Sequence, residues 1–176
     1  DKIFGGSIPK TFIPAVEKGI QEARMKGFVA GYPMVDFEVE LYDGQFHDVD
    51  SSEMAFKIAG SLAFKDAVTR CRPTLLEPIM SVEIAVPDEY AGSVMGDLSS
   101  RRGRPQGMEP KGNLQIIKAE VPLAEMLSYD AELTSMTGGR GSYHMEMDHY
   151  DEVPSHLQDK VVATARAEAG EGATEE

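Results

Sequence analysis

Val35, Phe37, Val39 and Leu41 alternate with Asp36, Glu38, Glu40 and Tyr42, the period-two pattern of a strand with one face buried. Asp43-Gly44 ends that run, because Asp and Gly tolerate turn conformations that other residues avoid, and Gln45 to Val49 then project outward as a loop. A helix is expected at once. Asp50 or Ser51 can accept from its first free N–H groups, Glu53 stands at capping-box distance from Asp50, and Met54, Ala55, Ile58, Ala59, Leu62 and Ala63 form an apolar face at helical spacing. It runs to about Cys71, before Pro73 forbids continuation. Upstream, Gly5-Gly6-Ser7-Ile8-Pro9-Lys10 reads as a loop leading to a helix from Ile13 to Lys26. Pro14 is tolerated near its start, Gly27 closes it, and Phe12, Val16, Ile20 and Ala23 mark its buried side. Lys2-Ile3-Phe4 reads as the end of a strand whose partners lie upstream, so the chain is expected to be a fragment. The order loop, helix, strand, tip, helix predicts a sheet covered by two helices.

From Glu77 the pattern restarts. Met80, Val82, Ile84 and Val86 alternate, Pro87-Asp88 opens a helix through Leu98, and Arg101-Arg102-Gly103-Arg104 closes it. A short strand from about Arg104 to Glu109, a turn at Pro110-Lys111-Gly112 and a strand from Leu114 to Val121 follow. Leu123 to Met136 reads as helix, Gly138-Gly139 breaks it, and Tyr143, Met145 and Met147 alternate with His144, Glu146 and Asp148 in a last strand. The order βαββαβ predicts an antiparallel sheet with helices on one face. Residues 157–169 suit a short helix, and Gly170 to Glu176 suits a disordered acidic tail. The fold class is therefore α+β with two small domains, at 1–76 and 77–154, and a terminal helix and tail at 155–176.

Charge narrows the choice of partners. The chain carries 17 Lys and Arg against 30 Asp and Glu, but residues 1–76 hold 9 basic and 11 acidic groups, whereas 77–154 hold 6 and 14. Long-range attraction to phosphate is weak, so any RNA contact must come from local clusters such as Arg101, Arg102 and Arg104. No apolar run approaches the roughly 20 residues that span a bilayer, which leads us to expect a cytoplasmic protein with no membrane partner. Cys71 is the single cysteine, which leaves no intrachain disulfide or cysteine-based zinc site; helix-end packing is its expected role.

His47, Asp48, Asp50 and Glu53 lie within seven positions and could suggest a small metal-dependent hydrolase. Neighbours in a turn splay apart, however, and Asp50 and Glu53 are better used at a helix start, so no metal site is expected. His47 is placed to donate to phosphate or ribose, with no nucleophile beside it to make it a general base. The Gly5-Gly6 loop lacks the Lys and Ser/Thr of GxxxxGK[ST], the string that binds nucleoside triphosphates. Arg101, Arg102 and Arg104 either complement a helix C-terminus or grip RNA phosphates. His144 and His149, five apart on a strand, are expected on opposite faces and so do not form a metal pair.

Gly5-Gly6-Ser7-Ile8-Pro9, Ile13-Pro14-Ala15-Val16-Glu17-Lys18-Gly19, Gly31-Tyr32-Pro33, His47-Asp48-Val49-Asp50-Ser51-Ser52-Glu53, Leu76-Glu77-Pro78-Ile79-Met80 and Gly96-Asp97-Leu98 together resemble bacterial elongation factor G. The resemblance runs to about Pro154 and covers the two C-terminal domains of that translational GTPase; Phe46 stands where the family commonly has Tyr. It implies a ribosomal protein S5 domain 2-like α/β sandwich, incomplete at its N-terminus, followed by a ferredoxin-like sandwich. It also implies GTP-dependent translocation of tRNA and mRNA, with a tip of Gly6, Ser7, Ile8, Pro9, Lys10, Gln45, Phe46, His47, Asp48, Val49 and Asp50 at the decoding centre. The implied partners are the ribosome through its 16S and 23S rRNA, tRNA and mRNA, with Arg101, Arg102 and Arg104 as rRNA contacts. GTP and Mg2+ would belong to an N-terminal domain outside this chain, leaving the fragment catalytically silent, free of cofactors and monomeric. A ribosome-recycling or ribosomal-protection relative is the alternative within that superfamily.

Overall fold

The computed structural model describes residues 7–172, so the expectations for Lys2 to Phe4, for Gly5-Gly6 and for residues 173–176 lie outside the described residues. The chain divides into two units, Asp1–Thr74 with Pro154–Glu176 and Leu75–Val153.

In the first unit a single 3-10 turn, Lys10–Phe12, leads into α1, Ile13–Lys26, with Pro14 in its first turn and Gly27 at φ 63° ending it. The second helix, α2, spans Glu53–Arg70. Its N-cap is Ser52, whose side chain accepts from the Ala55 N–H at 3.1 Å, and not Asp50. The expected Asp50–Glu53 capping box is therefore replaced by a serine cap, with Glu53 in the first turn where an anion complements the helix dipole.

The buried face of α2 is also not the expected one. Phe56, Gly60, Phe64 and Val68 are buried, whereas Met54, Ile58 and Leu62 are more than half exposed and Ala55, Ala59 and Ala63 are exposed beside them. Close approach decides the matter. A Cβ on Gly19 would stand 2.0 Å from the Lys57 carbonyl oxygen, and one on Gly60 would stand 2.9 Å from Val16, so the two helices meet where neither has a side chain. Phe12 packs on Phe56, and Ala23 on the Phe64 and Val68 cluster. The helices thus run parallel, with both N-termini at one end.

Residues 35–42 form no strand: Asp36 takes a left-handed φ of 57°, which interrupts the run, and the segment belongs to no sheet among the described residues, whereas a strand exists only through its ladder. The Phe37 ring lies 5.3 Å from that of Phe64, and Leu41 packs against the cluster at the helix N-termini, so this segment runs back along the helices toward the tip. Cys71 caps α2 and is exposed, not packed. The last helix of the chain runs from Ser155 to Gly172, longer than expected at both ends; Leu157 and Gln158 N–H groups bond the Pro154 carbonyl at its start.

The second unit follows the expected order. β1 (Leu76–Pro87), α3 (Asp88–Ser100), β2 (Arg104–Lys111), β3 (Leu114–Pro122), α4 (Leu123–Met126), α5 (Tyr129–Thr137) and β4 (Ser142–Glu152) form an antiparallel sheet of order β2-β3-β1-β4 with its helices. Val82, Ile84, Val86, Ile117, Ala119 and Val121 supply its core face, against Val94 and Leu98 of α3 and Tyr129 and Leu133 of α5. The helix expected over 123–136 is broken in two, and at the break the Glu125 carbonyl accepts from Arg101 Nη1 at 2.7 Å. A side chain inserted at such a carbonyl is a recognised cause of interruption.

Gly19→Ala is expected to destabilise the first unit by about 1–3 kcal/mol, because backbone on both sides must move apart. Gly92→Ala, where a Cβ meets nothing within 4 Å, should stabilise the second unit by about 0.5–1 kcal/mol through helix propensity. Urea unfolding of both variants measures the contrast.

Candidate functional site

The first unit brings together two loops far apart in sequence. Ile8, 4% exposed, joins Val16, Ala15 and Phe56 in a cluster that also takes in Phe12, Leu41 and Phe46. The Phe12 ring stacks on Phe56 at 4.7 Å and lies 5.8 Å from Phe46. Phe46 thus acts as an inward anchor, and its neighbours Gln45, His47 and Asp48 are exposed. In the other loop Lys10 is exposed, with Ser7 and Pro9 half-buried on either side of Ile8.

The turn that carries His47 is fixed by its own backbone. The Ser51 N–H (3.1 Å) and the Asp50 N–H (3.3 Å) both donate to the His47 carbonyl, while the His47 N–H donates to Ser51 Oγ at 3.0 Å. Ser51 therefore holds His47 from both sides, a role that the sequence pattern had given to helix capping. With the peptide locked, the imidazole, the Asp48 and Asp50 carboxylates and Val49, which is 92% exposed, point to solvent. The arrangement offers hydrogen-bond donors and acceptors on a rigid projection and suits contact with a polar macromolecule. It does not suit ligation: among the described residues no group of three or more His, Cys, Asp or Glu side chains could hold a metal ion, and His47, Asp48, Asp50 and Glu53 do not converge. No helix of the described residues is long and apolar enough to cross a membrane.

The three arginines of the second unit have different fates. Arg101 is 8% exposed: its Nε donates to Asp97 (2.8 Å), its Nη groups donate to the Glu125 carbonyl and the Glu132 carboxylate, and its guanidinium lies 5.1 Å from the Tyr129 ring centre. Arg102 is bidentate to Glu77 (2.6 and 3.0 Å) and also bonds Glu125 (3.0 Å). The Asp97 hydrogen bond raises the Arg101 pKa, and that to Glu77 raises the Arg102 pKa, each against the opposing effect of burial. Burial pushes the Tyr129 hydroxyl pKa up as well.

Arg102 adopts φ 59°, and Gly103 N–H reaches back to the Leu98 carbonyl at 2.8 Å, so the end of α3 is a Schellman turn with arginine at the left-handed position usually given to glycine. The strain of that position, on the order of 1 kcal/mol, is offset by the three charge-assisted bonds its side chain can then make. Arg101 and Arg102 are thus committed within the fold, and Arg104, with a side chain 69% exposed and one contact to Asp151 at 3.2 Å, is the member of the trio open to an external phosphate.

His144 and His149 also depart from expectation. The strand β4 carries a bulge, so His144 pairs with Glu83 and His149 with Ile79, positions four apart on β1 and therefore on the same face. They still do not meet, being roughly 13 Å apart along the strand, and each bonds a neighbouring carboxylate, His144 with Glu146 and His149 with Asp148. Sequence reasoning missed the Ile8, Phe12 and Phe56 clasp. The available signal was the inward parity of Phe46 between the outward Gln45 and His47.

Comparison with known proteins places both units. The family described as "Elongation factor G, domain IV" matches residues 1–72, and "Elongation factor G C-terminus" matches 74–161. The chain is 56% identical over 167 residues to a protein of Aquifex pyrophilus named elongation factor G, covering 95% of this chain and 24% of that relative. It is similar to a crystal structure of a Thermus thermophilus protein with a TM-score of 0.83 and 47% identity, over 94% of this chain and 25% of that one. The chain thus spans about a quarter of the length of these relatives.

Arg102→Ala is expected to cost the second unit about 2 kcal/mol, since it keeps the left-handed backbone and strands Glu77, whose side chain is only 13% exposed. Arg104→Ala should stay within about 0.5 kcal/mol. Chemical denaturation followed by a probe in the sheet separates the two.

Proposed function

The chain belongs to the elongation factor G family, and from that premise we propose that it is the part of a translation elongation factor that acts in ribosomal translocation. The loops 7–10 and 45–50 form a tip that enters the decoding centre and holds tRNA and mRNA in their advanced register. The observation that carries this reading is the projection itself: His47, Asp48 and Val49 are exposed on a turn locked by Ser51 and clasped to the Ile8 loop by the packed rings of Phe12, Phe46 and Phe56. A part that must advance RNA needs a stiff end, and donors and acceptors on a fixed backbone lose little freedom on contact.

In this reading 16S rRNA, tRNA and mRNA meet the first unit and 23S rRNA meets the second, where Arg104 is the contact and Arg101 and Arg102 shape the surface that presents it. The factor works in the cytoplasm. GTP and its Mg2+ do not fit the residues present, since no GxxxxGK[ST] string occurs in the chain. Nucleotide chemistry is accordingly assigned to the remainder of the factor. The intact His47-Asp48-Val49-Asp50-Ser51-Ser52 string favours translocation over recycling or ribosomal protection.

His47→Ala in the full-length factor is expected to slow single-round translocation by about tenfold, equivalent to about 1.4 kcal/mol of barrier, with ribosome-stimulated GTP hydrolysis unchanged. Fast-mixing kinetics with a labelled mRNA reads both steps. Unchanged translocation would remove the tip from this role.

A further inference from the structure

We propose that Ile8 is a positioning residue of the tip and that Gly44 is its seat, the pair coupling the two loops so that they act as one body. Each loop has its own tether to a helix, Ser7 to Lys10 through the 3-10 turn to α1 and Gln45 to Asp50 through Ser51 and Ser52 to α2. Those tethers leave the spacing of the loops to whatever lies between them, and Ile8 lies there.

A Cβ built on Gly44 would stand 2.3 Å from Ile8 Cδ1 and 2.7 Å from Cγ1, so the Ile8 side chain occupies the volume that any other residue at 44 would claim. Gly44 is not among the residues with positive φ, which means that the glycine supplies space and not a special conformation. Its N–H is held by Asp43 Oδ1 at 2.8 Å, so the seat has a fixed peptide. Asp43-Gly44, a turn by its sequence pattern, is used in the fold for a close approach.

From this seat the chain alternates toward the tip. Gln45 is exposed, Phe46 enters the Phe12 cluster and His47 is exposed. Two inward contacts in three residues, Gly44 under Ile8 and Phe46 beside Phe12, set the position from which His47 projects. A shift of Ile8 would therefore change the distance between Lys10 and His47, exposed hydrogen-bond donors on the opposed loops. An RNA surface touching both loops would read that distance. The effect on ribosomal movement rests on the tip reading above, whereas the coupling does not.

The test is a double-mutant cycle. Gly44→Ala, Ile8→Ala and the double variant are made in the full-length factor for translocation, and in the 176-residue chain for the His47 ring resonances by NMR. Gly44→Ala is expected to move the His47 resonances and to slow translocation about tenfold at saturating factor, leaving KM for ribosomes and GTP hydrolysis unchanged. Adding Ile8→Ala removes the clash at the seat, so the double variant should return the resonances and the rate toward wild type and lie closer to it than the sum of the two single changes, a non-additivity that independent sites do not show. Simple additivity of the two substitutions, or unmoved His47 resonances in Gly44→Ala, overturns the proposal. If the resonances move and are rescued while translocation is unaffected in these variants and in His47→Ala alike, the coupling stands and the decoding-centre role falls. If His47→Ala slows translocation and Gly44→Ala alters neither readout, the coupling alone falls.

Discussion

The closeness of α1 and α2 is the constraint from which the first unit follows. Glycines at 19 and 60 let the helices touch at backbone distance, and almost any side chain at either position would push them apart. Because the helices are parallel, this one contact also sets where their N-termini lie. Both loops of the tip grow from those N-termini, so the clasp of Ile8, Phe12, Phe46 and Phe56 can close only when the helices are this near. The Lys57–Glu22 pair at 2.8 Å crosses the same interface, but the Glu22 side chain is half exposed, which makes it an accessory to packing and not its cause.

The second unit solves a different problem, the joint between a helix and an edge strand. α3 ends in a left-handed residue that is an arginine, and Gly103 must be glycine because a Cβ there would meet the Leu98 carbonyl oxygen at 2.5 Å. The backbone turn aims Arg102 at Glu77 and Glu125, while Arg101 one residue earlier reaches Asp97, Glu132 and the end of α4. Two adjacent cations therefore join α3, β1, α4 and α5. A helix C-terminus favours cations for its dipole alone, but buried and bidentate partners make these pairs structural in a way that surface charge is not.

Much of the second unit was legible because its strands alternate strongly and its helices are bounded by Pro87, Gly103 and Gly138. The bulge in β4 was not, since a single extra residue reverses parity without leaving a mark in composition, and so the sequence spacing places His144 and His149 on opposite faces whereas the fold places them on one. In the first unit α2 was misread for a related reason. It is apolar on two sides, and the buried side is chosen by its own Gly60 and by Gly19 of its partner, which carry no hydrophobic signal. Val35 to Leu41 has the alternation of a strand, but alternation reports which face is apolar and not whether a neighbour supplies the ladder. The site was legible as a place, between a run of alternation and a helix; its construction was not, because the clasp joins residues that only the fold brings together.

Charge at the tip gives the functional reading its physical character. Lys10 and His47 stand beside Asp48, Asp50 and Glu53, so the projection has no excess of positive charge, and the positive ends of two parallel helix dipoles are in part offset by these carboxylates. A tip of this kind cannot hold RNA by counterion release, the mechanism that gives strong and salt-sensitive binding. It can occupy a space, make a few directed hydrogen bonds and leave. In the role proposed for it, such an element has more use for stiffness than for affinity, and stiffness is what the glycine contact, the aromatic clasp and the Ser51 lock on His47 together provide.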